Sequence, residues 1–475
     1  IPVVLYDNRP DAAEEARTAI AATWATLSAK GKLTPEAAAE STAHLYIAHE
    51  LAGLKTCSVV VEAIVERLDV KQQLFKDLEG IVSDQCILAT NTSSLSVAAL
   101  AASCRRPERV VGFHFFSPVP LMKVVEVICA PLTDAHVADA LVSMAKRMGH
   151  KPVRASDTPG FIVNHAGRGY VTEALRLLGE NLAPHSEIDR VLRLGAGFRM
   201  GPFELLDFTG LDVSQPVMES IYEQFFHEPR FRPSPIAKLR QAAGLLGRKT
   251  QRGFYSYENG KKRDIPTPPV PERKNIPVWI DPVAAKDHPT AVQLLEGLGA
   301  TMDRSKMPAS TSLCFVLPVG RDVTTCVTAT GLDPTRTVAL DPLFLEGCRT
   351  LMLNPLTSPQ YRDAAHALLA ADGVPVVVVH DSPGFVSQRV VASIVNIACD
   401  IAQQAIATPE DIDLSVNLGL GYPLGPLSMG DRMGARTVLR ILDEMYEFYR
   451  DPRYRASPWL KRRALLGQSL LTPEN

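Results

Sequence analysis

Short apolar runs rich in β-branched residues alternate with helical stripes from residue 1 to about residue 150. The runs fall at 2–6, 58–61, 87–89, 110–114 and 124–129, and helical patterns at 11–27, 70–81, 96–102 and 135–148 separate most of them. Strands that alternate with helices predict a parallel sheet clad with helices on both faces. The segment 135–148 shows the logic. Thr133 or Asp134 caps its start, Val137, Leu141, Met144 and Met148 fall on one face, and Gly149 ends it.

The pattern changes at Asp157. From Asp157-Thr158-Pro159-Gly160-Phe161 to about Gly253 the periodicity is helical. Pro159 sits where a helix can start without losing a useful N–H. A long helix is expected next, with Val163, Ala166, Tyr170, Ala174 and Leu178 on one stripe. Residues 258–275, rich in proline and charge, read as a linker.

Beyond the linker the chain repeats itself. Asp381-Ser382-Pro383-Gly384-Phe385 matches the segment that begins at Asp157, and the same offset in numbering maps Asp189 to Asp413, Gly201-Pro202 to Gly425-Pro426, Asp207 to Asp431 and Gly210 to Gly434. Pro131 and Thr133 map to Pro355 and Thr357, so the repeat reaches back into the α/β half. The expected plan is an α/β domain at 1–156, a helical domain at 157–257, the linker, a reduced α/β remnant at 276–380, and a second helical copy at 381–475.

Composition narrows the function. Fifty basic residues against 52 acidic ones make no electrostatic case for nucleic acid or a membrane surface. No apolar run approaches the roughly 18 residues of a membrane helix. Eight scattered cysteines without a CxxC pair suggest reduced thiols and a cytoplasmic protein. The opening run 1–7 is a strand ending in an acid, without a signal peptide's basic start or long apolar core, and reads like a domain entered partway through.

Two segments suggest chemistry in the α/β half. Asp7 ends the first strand, where an acid in a dinucleotide fold binds the adenine-ribose hydroxyls and disfavours a 2′-phosphate, hence NAD over NADP. An acid after a strand is otherwise a simple turn residue. Gly195-Ala196-Gly197 and its partner Gly419-Leu420-Gly421 lie between helical patterns and read as tight turns, not phosphate loops. The more informative block runs from Val110 to Glu126. His114 ends one strand and Glu126 lies in the next, so a loop between them can bring the two side by side. The carboxylate would hold one imidazole tautomer and leave the other ring nitrogen as a base. The plainer alternative is a surface histidine and an unrelated strand glutamate. Thr90-Asn91-Thr92-Ser93-Ser94 follows a strand, facing a ligand crevice or capping the next helix, and Asn164 opens the helix after the 157–161 segment.

The runs VEAIVERLDVKQQLF (61–75), TNTSSLS (90–96), VGFHFFSPVPLMKVVEVI (111–128) and DTPGFIVN (157–164) resemble the L-3-hydroxyacyl-CoA dehydrogenase family, and the duplicated C-terminal part is similar to its longer bacterial form. The resemblance implies a Rossmann-like NAD domain followed by an all-α domain, and NAD-dependent oxidation of an L-3-hydroxyacyl-CoA in catabolism of the fatty-acid β-oxidation or phenylacetate type. It makes His114 the base and Glu126 its orienting partner. Ser93 and Asn164 would hydrogen-bond the substrate or the region of His114. Asp7 would bind the adenine ribose, with Glu66, Lys71 and Asn91 on the nicotinamide-ribose side. Hydride goes to the nicotinamide, so one base suffices and no metal is needed. The acyl-CoA would sit in the cleft between the α/β and helical halves.

The chain also departs from the family. The opening strand and GxGxxG loop are expected ahead of Ile1. Ser117 replaces the family asparagine; serine is shorter, so a contact made there would be weakened or water-bridged. At the offset of the repeat, His114 falls on Val338, Glu126 on Thr350 and Asn164 on Gln388, so the second α/β region is expected to have no active site. A homodimer, or a monomer in which the two helical copies pair, would suit the repeat. Two other functions remain open: a non-catalytic CoA-ester or partner-binding scaffold, and a dehydrogenase of free hydroxy acids on the same fold.

Overall fold

Val- and Ile-rich runs form the strands β1 (Val3–Leu5), β2 (Leu45–Ile47), β3 (Val59–Glu62), β4 (Ile87–Thr90), β5 (Val110–Phe115), β6 (Val124–Cys129) and β7 (Lys151–Ser156). The computed structural model describes residues 1–474 and divides into two units, one of residues 1–119 and 125–157, the other holding 120–124 and everything from Thr158.

In the first unit β3 to β7 form one sheet in that order, and β1 and β2 pair in parallel as a separate ladder. The all-parallel expectation fails between β5 and β6. β3, β4 and β5 are parallel, but β6 runs antiparallel to β5. The loop between β5 and β6, residues 116–123, is too short for a crossover of a dozen or more residues, so the chain returns beside the strand it left. β2, β7 and the helix Pro35–Ala43 were not foreseen: β2 has three residues, and β7 alternates with polar positions.

Alternation along β5 and β6 sorts their side chains. Val111, Phe113, Val125 and Val127 join Val137, Ala138, Leu141 and Ala145 of the helix Ala135–Arg147 in one core. The expected helical stripe is therefore rotated: Met144 is only half-buried and Met148 exposed, because small alanines form the line that approaches the sheet. His114 and Glu126 alternate onto the opposite face.

In the second unit the expected long helix breaks at Gly167 into Val163–Ala166 and Arg168–Gly179. The latter is buried on nearly every side, because the helix Ser387–Gln403 lies along it; a Cβ on Gly169 would stand 3.1 Å from Ile394 Cα. The repeated acids do the same work twice. Asp189 accepts from Phe203 and Glu204 N–H, and Asp413 from Leu427 and Ser428 N–H, each capping the helix that begins at the following Gly-Pro. Asp207 tethers Phe254 and Tyr255 N–H, and Asp431 tethers Leu470 N–H.

The predicted linker begins with a small hairpin, β8 (Tyr257–Glu258) and β9 (Lys261–Lys262). A second five-stranded sheet follows: β10 (Val278–Ile280), β11 (Leu313–Val316), β12 (Thr337–Leu340), β13 (Arg349–Leu353) and β14 (Val376–Val379). β10, β11 and β12 are parallel, β12 and β13 antiparallel. Here the fixed offset of the repeat misplaces a residue. The ladder that pairs Leu340 with Leu351 brings Asp341, not Val338, opposite Thr350. The connection from Asp341 to Thr350 is shorter than the one from His114 to Glu126, and a constant offset cannot hold across connections of unequal length.

Candidate active site

The antiparallel register of β5 and β6 sets His114 directly opposite Glu126. Glu126 Oε2 lies 2.6 Å from His114 Nδ1, and both side chains are buried. A carboxylate only accepts, so Nδ1 carries the proton and donates, which makes Nε2 the acceptor nitrogen of the ring. Ser93 Oγ stands 3.1 Å from that nitrogen. Phe116 packs edge-on against the imidazole, with ring centroids 4.5 Å apart.

Ser93 is placed by the loop after β4, and Glu66 shapes that loop. One oxygen of Glu66 accepts from Thr92 Oγ1 at 2.6 Å, Ser93 N at 2.9 Å, and Ser94 N and Oγ at 3.1 Å. Burial raises the Glu66 pKa, but these donors and Lys71 outweigh it and hold the carboxyl below its ordinary range. Asn91 Oδ1 accepts from Phe115 N at 2.8 Å, tying the loop to the end of β5.

Lys71 is fully buried. Its ammonium bonds Glu62 Oε1 at 2.6 Å and lies 3.2 Å from Glu66 Oε2. Glu62 also accepts from Thr90 Oγ1 at 2.7 Å and Ile64 N at 2.6 Å. Sequence reading missed Glu62. Its signal is an acid closing the apolar run Val59-Val60-Val61, where only a partnered charge survives burial.

The other candidates are more scattered. Asp7 is exposed, with Oδ1 accepting from Arg9 N at 2.8 Å. Ser117 is exposed in the loop between β5 and β6. Asn164 belongs to the second unit, in the single turn Val163–Ala166, where its carbonyl accepts from Arg168 Nε at 2.8 Å.

The donor set suits a dinucleotide. The C-terminal ends of parallel β3 and β4 gather Glu66, Asn91 and Ser93 along one edge, the edge at which such sheets take nucleotides. Asp7 follows the C-terminal end of β1 with its carboxylate exposed. Lys71 turns its charge inward, onto Glu62 and Glu66.

An imidazole held by a buried carboxylate, beside a sheet edge of the nucleotide-binding kind, is what this α/β domain presents. Comparison with known proteins gives the family. Residues 1–158 match the 3-hydroxyacyl-CoA dehydrogenase NAD binding domain, and residues 160–257 and 384–469 match the 3-hydroxyacyl-CoA dehydrogenase C-terminal domain. The chain is 34% identical over 472 residues to 3-hydroxyadipyl-CoA dehydrogenase of Escherichia coli (strain K12), covering 98% of this chain and 92% of that protein. It is 38% identical over 255 residues to a probable 3-hydroxybutyryl-CoA dehydrogenase of Deinococcus radiodurans, covering 54% of this chain and 91% of the relative. The crystal structure of 3-hydroxybutyryl-CoA dehydrogenase from Escherichia coli K12 superposes with a TM-score of 0.86 at 32% identity, over 98% of this chain and 93% of that one. The chain belongs to the 3-hydroxyacyl-CoA dehydrogenase family.

Proposed function

We propose that this protein oxidises the 3-hydroxyl of a 3-hydroxyacyl-CoA to the 3-ketone with NAD. The observation that carries the reading is the 2.6 Å contact between Glu126 Oε2 and His114 Nδ1, which leaves Nε2 beside Ser93 as a base. NAD, when bound, supplies the hydride acceptor. His114 Nε2 takes the hydroxyl proton as C3 gives up its hydride. Glu126 fixes the tautomer and balances the imidazolium that results. Ser93 orients the hydroxyl at Nε2. Asn164 and Ser117 hydrogen-bond the substrate. Asp7 binds the adenine ribose, and Glu66, Lys71 and Asn91 shape the nicotinamide-ribose side.

The domain plan belongs to the same reading: an NAD-binding domain at 1–156, a helical domain at 157–257, a linker at 258–275, a degenerate Rossmann-like remnant at 276–380 and a second helical copy at 381–475. The shared strand order of the two sheets and the paired acids Asp189/Asp413 and Asp207/Asp431 support it. No helix among the described residues is long and apolar enough to cross a membrane. We place the protein in the cytoplasm on its eight free cysteines.

NADH formation with short 3-hydroxyacyl-CoA esters, set against the corresponding free hydroxy acids, tests the function. The expected result is turnover of the esters alone. Equal turnover of free acids would move the protein to the rival dehydrogenase class, and NAD binding without turnover of any ester would sink the reading.

A further inference from the structure

The second half of the chain holds the single helical turn that carries Asn164. Gly419, near the end of the helix Pro409–Leu420, faces Val163: a Cβ there would lie 3.0 and 3.1 Å from the two Val163 methyls. Leu420 Cδ1 stands 3.0 Å from where a Gly167 Cβ would be. Val163 and Gly167 bracket the turn Val163–Ala166, so residues 419–420 grip it from both ends. Tyr422, buried, follows at once and packs on Tyr170 and Phe198, with ring centroids 5.6 and 4.9 Å away.

This grip is one side of a reciprocal arrangement. Gly195 and Gly419 are equivalent positions of the repeat, and so are Val124 and Cys348. A Cβ on Gly195 would lie 3.2 Å from the Cys348 carbonyl oxygen, and one on Gly419 would lie 3.4 Å from Cγ1 of Val124, a residue grouped with the second unit. The two Gly-x-Gly segments, which bind no phosphate in the sequence reading, are thus points of close approach between the halves of the repeat.

We infer that residues 419–422 form a positioning element for Asn164, so that substrate hydrogen bonding in the first half depends on a glycine-sized gap supplied by the second. The inference rests on the dehydrogenase reading above. Alignment at a reacting centre is steep: a 1 Å misplacement costs on the order of 10²-fold in rate. Gly419 has helical backbone without a positive φ, so alanine suits its helix. The added methyl therefore acts through the packing it meets.

Gly419→Ala should lower kcat/KM by roughly tenfold or more, with NADH binding and Tm close to the unsubstituted protein. Val163→Ala in the same chain removes the two methyls and should restore most of the loss. In an Asn164→Ala background Gly419→Ala should cost nothing further, because both act at one point. Unchanged kcat/KM in Gly419→Ala, failure of Val163→Ala to restore it, or a full additional loss in the Asn164→Ala background each overturns the inference. Failure of the dehydrogenase reading shows separately: the unsubstituted protein then turns over no hydroxyacyl-CoA, and both fall together.

Discussion

Glu173, in the helix Arg168–Gly179, accepts a hydrogen bond from Arg389, which stands 216 residues further along the chain in the helix packed against it. Neither side chain reaches solvent. Glu173 also accepts from Arg453 at 3.2 Å and from Tyr454 Oη at 2.7 Å. Burial alone would raise its pKa, but the two guanidinium groups and the phenol overcome this and bring it down to about 2.

Removing Glu173 leaves Arg453 without its anion and Arg389 with Glu180 alone. Glu173→Ala should cost about 3–5 kcal/mol of stability, the scale of breaking a buried pair from one side. The native carboxyl is depressed below its ordinary 4.5, so its contribution is complete above that pH and is lost as pH falls toward 2. Urea titrations at stepped pH should show this acid slope in the native protein and a shallower one in Glu173→Ala.

Asp341 behaves in the opposite sense. It is fully buried, accepts from Gln388 Nε2 at 2.9 Å and Leu343 N at 3.0 Å, and burial pushes it up to about 7. The unfolded carboxyl ionises near 3.8, so stability is complete below that value and is lost as pH rises through 7. Asp341→Asn keeps the shape and an acceptor for Gln388. It should raise Tm at pH values above 7 and change little in acid; a lower Tm at both would reject this account.

His114→Gln should reduce turnover of the CoA ester by about 10²–10⁴-fold, the usual contribution of a positioned base. NADH binding, read by fluorescence, should hold. Glu126→Gln should fall in the same range, because an amide can present its N–H to Nδ1 and fix the wrong tautomer.

Glu66→Gln loses the anion that gathers Thr92, Ser93 and Ser94 and also faces Lys71. It should lower kcat more than it raises KM, since it disturbs Ser93 beside the base rather than the substrate's remote end. Ser93→Ala should show the same pattern, and combining the two should cost less than the sum.

Local sequence settled a good deal. The runs at β3, β4, β5 and β6 are legible because β-branched residues clad by helices leave an unbroken apolar signal. The position of His114 at a strand end, and the repeat carried by Asp189, Asp207 and their partners, follow from order along the chain alone. Tertiary structure decided the rest. Strand direction turned on the length of the 116–123 loop, which let β6 return and set Glu126 against the imidazole. The inward turn of Lys71 depended on Glu62, whose burial no local pattern reveals. The uniform burial of Arg168–Gly179 came from Ser387–Gln403, a helix far along the chain. Periodicity reports one face of an element at a time, whereas the partner that covers a second face, and the ion that makes a buried charge tolerable, are chosen only when distant segments meet.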